Sequence, residues 1–209
     1  MKGYFRMKEF NSDTGQKLLA ATLKMISLKG YLGTTTREIA SAAGVTEVTL
    51  FRHFGSKENL FEEMLNRYSF LPELRELLPE LENNSFDYKN GLIIIGTRFI
   101  ETLKERKSLV RIMTCEIQVY PEKIKVVHSR FIDEMINLLA DYFSIRQKKG
   151  ILRKFQSEIA ARAFLGIIFS FFHIEEIVKG RDMGKNEMKR TINEFVNIFT
   201  DGTLRGDQR

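Results

Sequence analysis

Apolar residues recur along this chain at helical rather than strand spacing. Leu19, Leu23 and Ile26 fall at i, i+4 and i+7, which predicts a first helix from about Thr14 to Lys29, with Gly30 placed to stop it. Thr35 and Glu38 have the spacing of a capping box and predict a short second helix that ends near Gly44. Thr46 suits the cap of a third helix, Glu47 to about His53, and Ser56 the cap of a fourth beginning at Lys57. Pro72 and Pro79 interrupt or bend the segment "SFLPELRELLPELE". Longer patterns follow: from Ser85 through "FDYKNGLIIIGTRFIETLKERK", Ser108 to Tyr120, Pro121 to about Arg146, Ser157 to about Lys179, and Lys185 to about Thr200. No alternating strand pattern bounded by hairpin turns occurs, and no repeat of about 20–50 residues. The chain reads as all-α, in a three-plus-six arrangement of helices.

Composition narrows the class. With 209 residues, 43% hydrophobic and 29% charged, the chain is long and apolar enough for a sizeable core, which excludes a disordered tail. The longest uncharged apolar run, Ala163 to Ile174, is shorter than the ~20 residues a membrane-spanning helix needs, so it reads as a buried helix. The beginning, "MKGYFRMKEFNSD", lacks the apolar centre of a signal peptide. Cys115 is the only cysteine, so no internal disulfide and no cysteine-based zinc site is expected. A cytoplasmic protein with no membrane partner is the resulting expectation.

The charge is unevenly placed. Residues 1–57 hold nine basic side chains against four acidic ones, while the remainder hold twenty-four against twenty-three. A basic head on a nearly neutral body points to an anionic partner at one end. Catalytic signatures are missing: there is no P-loop, Rossmann glycine pattern, HExxH or GxSxG. The histidines at 53, 128 and 173 and the lone cysteine form no recognisable nucleophile or metal set. Neither an enzyme nor a metal or other cofactor is expected.

Two short helices around the tight "AGVT" turn are the helix-turn-helix design, in which the second helix offers its N-terminal residues to base edges in the major groove. Ile39, Ala43, Val45, Leu50 and Phe54 can form its small core, and Gly44 permits a left-handed turn. That packing turns Arg37, Thr46, Glu47, Val48, Thr49, Arg52 and His53 outward, with Thr36 beside them at the start of the second helix. Hydroxyls and Arg suit base or phosphate contacts, and Thr and Val methyls suit the thymine methyl. Glu47 suits a cytosine amino group or a neighbouring Arg, and Phe51 fits core or interface equally. The start of the fourth helix, with Lys57, is a natural phosphate seat.

The stretch "TTTREIASAAGVTEVTLFRHFGSKENLFEEM" resembles the DNA-binding domain of the tetracycline-repressor (TetR) family of bacterial regulators, over roughly residues 14–64. It departs from the common pattern at Ile26, where an aromatic is usual, at Val48, a frequent glycine, and at Phe51, a frequent tyrosine. The resemblance implies a three-helix DNA-binding domain, residues 1–57 with the helix-turn-helix at about 35–54, and a six-helix effector-binding and dimerisation domain, residues 58–209. It also implies a repressor that binds a near-palindromic operator in double-stranded DNA as a homodimer and is released by a small effector. The DNA-binding set it implies is Thr36, Arg37, Thr46, Glu47, Val48, Thr49, Phe51, Arg52, His53 and Lys57.

Within the body, polar residues that interrupt apolar helices are the effector-pocket candidates: Arg98, Glu101, Glu116, His128 and His173. The 17 Phe and 8 Met favour a lipophilic or amphipathic effector over a sugar. The family pairs its last two long helices with their mates, and "IAARAFLGIIFSFFHIEEIV" is apolar on nearly all faces. Phe164, Ile168, Phe171 and Phe172 are the expected anchors of that interface. Two other readings stay open: a DNA-organising protein of the same fold without an effector, and a small-molecule-binding helical protein whose helix-turn-helix is vestigial.

Overall fold

The computed structural model describes residues 12–83 and 87–203. The expected helix start at Ser85 and the N-terminal arm, residues 1–11, lie outside the described residues. The described chain is helical: α1 (Asp13–Lys29), α2 (Thr36–Ala42), α3 (Glu47–Phe54), α4 (Lys57–Tyr68), α5 (Leu71–Asn83), α6 (Tyr88–Glu105), α7 (Lys107–Glu116), α8 (Glu122–Lys148), α9 (Ser157–Phe172) and α10 (Lys185–Thr203). A 3-10 turn, Ile117–Val119, follows α7, and a π-helical segment, His173–Val178, extends α9. No strand occurs among the described residues. The elements pack as two units. The first holds the described residues up to Ser69 together with Arg106–Phe131, and the second holds those of Phe70–Glu105 and from Ile132 onward.

In the first unit each early helix begins where its side-chain cap dictates. Ser12 accepts from the Gly15 N–H at 3.0 Å, Thr46 from Thr49 at 3.2 Å and Ser56 from Asn59 at 3.1 Å. Thr35 and Glu38 close the capping box in both directions, at 3.2 Å and 2.9 Å. The core is one cluster drawn from α1 (Leu18, Ile26), α2 (Ile39), α3 (Leu50, Phe54), α4 (Leu60, Phe61, Met64), α7 (Leu109, Met113) and the start of α8 (Ile124). Ala43 and Val45 pack against it from the turn.

Two local features depart from the sequence expectation. The pattern from Ser108 to Tyr120 predicts one helix, but α7 ends at Glu116 and tightens into the 3-10 turn. Pro121 is the cause: its ring disfavours helical backbone in the preceding residue, and Tyr120 is extended at φ −69°, ψ 149°. Conversely, Leu71–Asn83 is a helix despite its two prolines. Pro72 stands in the first turn, where no N–H partner is lost, while Leu74, Leu78 and Leu81 bury a face that outweighs the hydrogen bond missing at Pro79.

The second unit is built on α6, α9 and α10. A methyl on Gly96 of α6 would stand 3.1 Å from Ile192 and 3.2 Å from Ile168, so the three helices meet closely at this glycine. Phe164, Ile168 and Phe172 are fully buried here, with Phe164 edge-on to Phe199 at 5.3 Å. Ser157 is the first helical residue and not the cap; its hydroxyl accepts from Ser144 at 2.9 Å and donates to Gln147 at 3.2 Å. The π segment turns two adjacent acids inward. Glu176 takes Lys104 at 2.9 Å and the Met183 N–H at 2.8 Å, and Glu175 takes Lys179 at 2.6 Å and Arg181 at 2.7 Å.

Ser157–Val178 is long and apolar enough to cross a membrane by length and composition. Its inward face, Ala161, Phe164, Leu165, Ile168 and Phe172, is packed into this unit's own core.

Candidate nucleic-acid interface

The candidate interface is built by α2, the turn at Ala43–Val45, α3 and the start of α4. Gly44 has φ +70°, the left-handed conformation that lets Val45 donate back to the Ala40 carbonyl at 3.0 Å and swings α3 across α2. Leu50 and Phe54 lock the inner side of α3 into the core. Gly55, at φ +76°, ends it, and the Asn59 amide donates to the Phe54 carbonyl at 2.9 Å, tying the end of α3 to α4. Asn59 is not among the residues the sequence pattern picks out, although its position just after the Ser56 cap is the available signal.

The outward side of α3 divides into engaged and open groups. The Glu47 carboxylate accepts from the Thr36 hydroxyl, so both are tied to each other across the turn. Thr49 donates its N–H to Thr46, and the two hydroxyls are 2.9 Å apart. Val48 is 78% exposed and Phe51 45%, and Arg52 and Arg37 are exposed. His53 is half-buried beside Phe54, and its Nδ1 is shielded from solvent without a hydrogen-bond partner.

Lys57 is placed differently from a free phosphate seat. It folds back so that its ammonium donates to the Tyr31 carbonyl and lies 4.1 Å over the Tyr31 ring. Burial pushes its pKa down, against the charges of Glu58 and Glu38. Tyr31 is itself held from the other side, its N–H donating to the Tyr120 hydroxyl at 3.3 Å, which in turn donates to Glu116 at 3.0 Å. Burial and the Glu116 carboxylate push Tyr120 up to about 12. Tyr31 and Tyr120 carry no sequence signal beyond aromatic character, because their partners are distant in the chain. On the edge of α2, Glu38 is drawn down to about 2, first by Lys29 at 2.7 Å and then by the Thr35 bonds.

The effector candidates scatter. Arg98 and Glu101 are exposed on α6, with Arg98 4.0 Å from Glu73. Glu116 and His128 belong to the first unit, where Glu116 holds Tyr120 and His128 lies 6.5 Å from Phe131 with its pKa pushed down by burial. His173 stacks on Phe169 at 6.0 Å in the second unit. Among the described residues no group of three His, Cys, Asp or Glu is arranged to hold a metal ion.

The expected interface anchors divide between core and surface. Phe164, Ile168 and Phe172 have no exposed surface, because they fill the second unit's own core; of the four only Phe171 reaches outward, edge-on to Phe195 at 5.5 Å. The exposed apolar stripe of α9 and its π extension runs instead through Ile159, Ile167, Ile174 and Val178, with Ala163, Gly166 and Ser170 between, and Ile198 is exposed on α10.

Comparison with known proteins agrees with this architecture. Residues 18–64 match the family model described as bacterial regulatory proteins, tetR family, and residues 90–202 match the AefR-like transcriptional repressor C-terminal domain. The uncharacterised HTH-type transcriptional regulator YvkB of Bacillus subtilis is 33% identical over 159 residues, covering 76% of this chain and 81% of its own. The HTH-type transcriptional regulator QacR of Staphylococcus aureus is 28% identical over 89% of this chain and 96% of its own. In fold, the chain is similar to NalD, the secondary repressor of the MexAB-OprM multidrug efflux pump in Pseudomonas aeruginosa. The TM-score there is 0.68 at 24% identity, over 92% of this chain and 98% of that one.

Proposed function

The chain belongs to the TetR family of bacterial regulatory proteins, and from that membership we propose that it is a cytoplasmic repressor binding a near-palindromic DNA operator as a homodimer, released by a small lipophilic or amphipathic effector. The family is one of transcriptional regulators, and this reading assigns the chain no catalytic step, no cofactor and no membrane partner.

The observation that carries the reading is the presentation of α3. Its inner side is fixed by Leu50 and Phe54, and its outer side offers Val48, Phe51 and Arg52 to solvent on a head with excess positive charge. A helix so held enters the major groove, with Arg37, Thr46, Thr49 and His53 flanking the contact and positive charge adding sequence-independent affinity. In this proposal residues 1–57 bind DNA, and residues 58–209 bind the effector and dimerise. The exposed stripe through Ile159, Gly166, Ile167 and Ile174 supports pairing of two copies through α9, because its small residues allow close approach. Release requires an effector that prefers one dimer state; a swing from 1:99 to 99:1 needs about 5.5 kcal/mol of preference.

Fluorescence anisotropy on the DNA flanking the gene, against scrambled DNA and across a salt series, tests the reading. Tight binding to the flanking fragment that is abolished in Arg52→Ala supports a specific regulator. Equal, steeply salt-dependent binding to both DNAs rejects an operator in that fragment, and no binding to either rejects the DNA-binding reading.

A further inference from the structure

Glu47 and Thr49, the polar side chains of the first turn of α3, are engaged within the protein. Thr36 holds Glu47, and Thr46 holds the N–H and hydroxyl of Thr49. At the start of α4, Lys57 is bound to Tyr31. These bonds fix the Glu47 and Thr49 side chains against their neighbours and use part of their hydrogen-bonding capacity. The open surface at the middle of α3 is apolar: Val48 is 78% exposed and Phe51 45%. Three positions apart, they share one face, with Cβ atoms about 5–6 Å apart.

Base edges in the major groove offer only one strongly apolar group, the C5 methyl of thymine; the rest present donors and acceptors. Pressing Val48 or Phe51 against a polar edge removes water from it without replacing the hydrogen bond, which is unfavourable. Pressing either against a methyl buries apolar surface on both partners, which is favourable. With successive bases about 3.4 Å apart along a strand, the spacing of the two side chains matches methyls one or two base steps apart.

We infer that Val48 and Phe51 are the specificity-determining residues of α3 and form a two-point apolar reader, selecting thymine by its 5-methyl group at two nearby positions in each half-site. This rests on the proposed function, since it needs α3 to lie in the major groove. Arg52, exposed one position beyond Phe51, supplies phosphate or guanine contact beside this reader and not the thymine selection itself.

The test uses the full chain and a random-sequence duplex pool. After selection at fixed salt, the enriched site is resynthesised with each thymine replaced in turn by uracil, which deletes only the methyl. The expected result is a loss of about fourfold in affinity at each of two close positions per half-site and little change elsewhere. In Val48→Ala the uracil penalty disappears at one of these positions and persists at the other; in Phe51→Ala the pattern reverses. Both side chains are on the surface, and circular dichroism and melting confirm that each variant is folded. Uracil tolerated at every position, or penalties unchanged in both variants, overturns the inference while leaving the proposed function standing. A pool that yields no enriched site overturns both, so the two failures are distinct.

Discussion

The Lys57 ammonium lies 4.1 Å above the Tyr31 ring and donates to the Tyr31 carbonyl oxygen, binding the first residue of α4 to the turn after α1. A side chain whose type and position suit a phosphate contact is here part of the scaffold that orients α3. Lys57→Met keeps the alkyl stem and removes both interactions, so the first unit should become less stable by about 1 kcal/mol, read as a lower melting temperature. The slope of log Kd against log salt should stay at the wild-type value. Arg52→Ala should instead leave the melt unchanged and flatten that slope by about 0.9 for each phosphate that Arg52 neutralises. Equal flattening by the two variants would show that Lys57 leaves Tyr31 for the phosphate.

The capping box of α2 makes the first unit sensitive to acid. The Glu38 carboxylate is held at about 2 in the folded chain, below its ordinary 4.5, by Lys29 and Thr35. A depressed folded value means that the contribution is complete above about 4.5 and is lost as pH falls through about 2. Glu38→Gln keeps a side chain able to accept from the Thr35 N–H but has no charge to lose. The stability gap between wild type and Glu38→Gln should therefore be widest near neutrality and close between about pH 4.5 and 2, measured by urea titration at each pH. A gap independent of pH would refute the ionic account.

Gly44 and Gly30 both have positive φ, at +70° and +75°, but Gly30 adds ψ 172°, a region open essentially to glycine alone, and the two differ in what surrounds them. A methyl on Gly44 meets nothing within 4 Å, so Gly44→Ala should cost only the backbone preference, about 1–2 kcal/mol. A methyl on Gly30 would run into the Glu116 carboxylate that holds Tyr120. Gly30→Ala should therefore destabilise more than Gly44→Ala, and adding Glu116→Ala should recover part of the difference. Equal denaturation midpoints for the two single variants would contradict the packing described.

Phe164 and Ile167 are neighbours one turn apart on the same helix, yet one is buried and the other exposed. Phe164 is fully buried beside Gly96 and Phe199, so Phe164→Ala should cost about 3–5 kcal/mol and lower the melting temperature sharply. Ile167 is exposed, so Ile167→Glu should leave the melt of an isolated chain nearly unchanged while weakening the proposed dimer, as read by sedimentation at several concentrations. A variant that remains dimeric at the wild-type concentration moves the interface away from this stripe.

Much of the candidate site was legible from local chemistry. Thr35, Thr46 and Ser56 bond to an N–H three residues along, so their spacing alone places the helix starts, and Gly44 marks the turn because it takes a positive φ. The exposure of Val48 and Phe51 follows from the same local pattern, since Leu50 and Phe54 take the inner positions of a short helix. The engagement of Glu47 by Thr36 and of Lys57 by Tyr31 was not legible, because those partners lie 11 and 26 residues away.

The amino-acid sequence by itself determined the helical class, the helix-turn-helix and its family, since capping, period and turn chemistry act within a few residues. Only the tertiary structure decided which of several equally apolar side chains of α9 fill the core and which face outward. In a helix apolar all round, hydrophobicity carries no direction, and the choice belongs to the neighbours: Gly96 and Ile192 close over Phe164 and Ile168, and Ile167 is left uncovered. The same holds for charge, because a lysine reads alike whether its ammonium faces DNA or a tyrosine ring until the chain brings Tyr31 beneath Lys57.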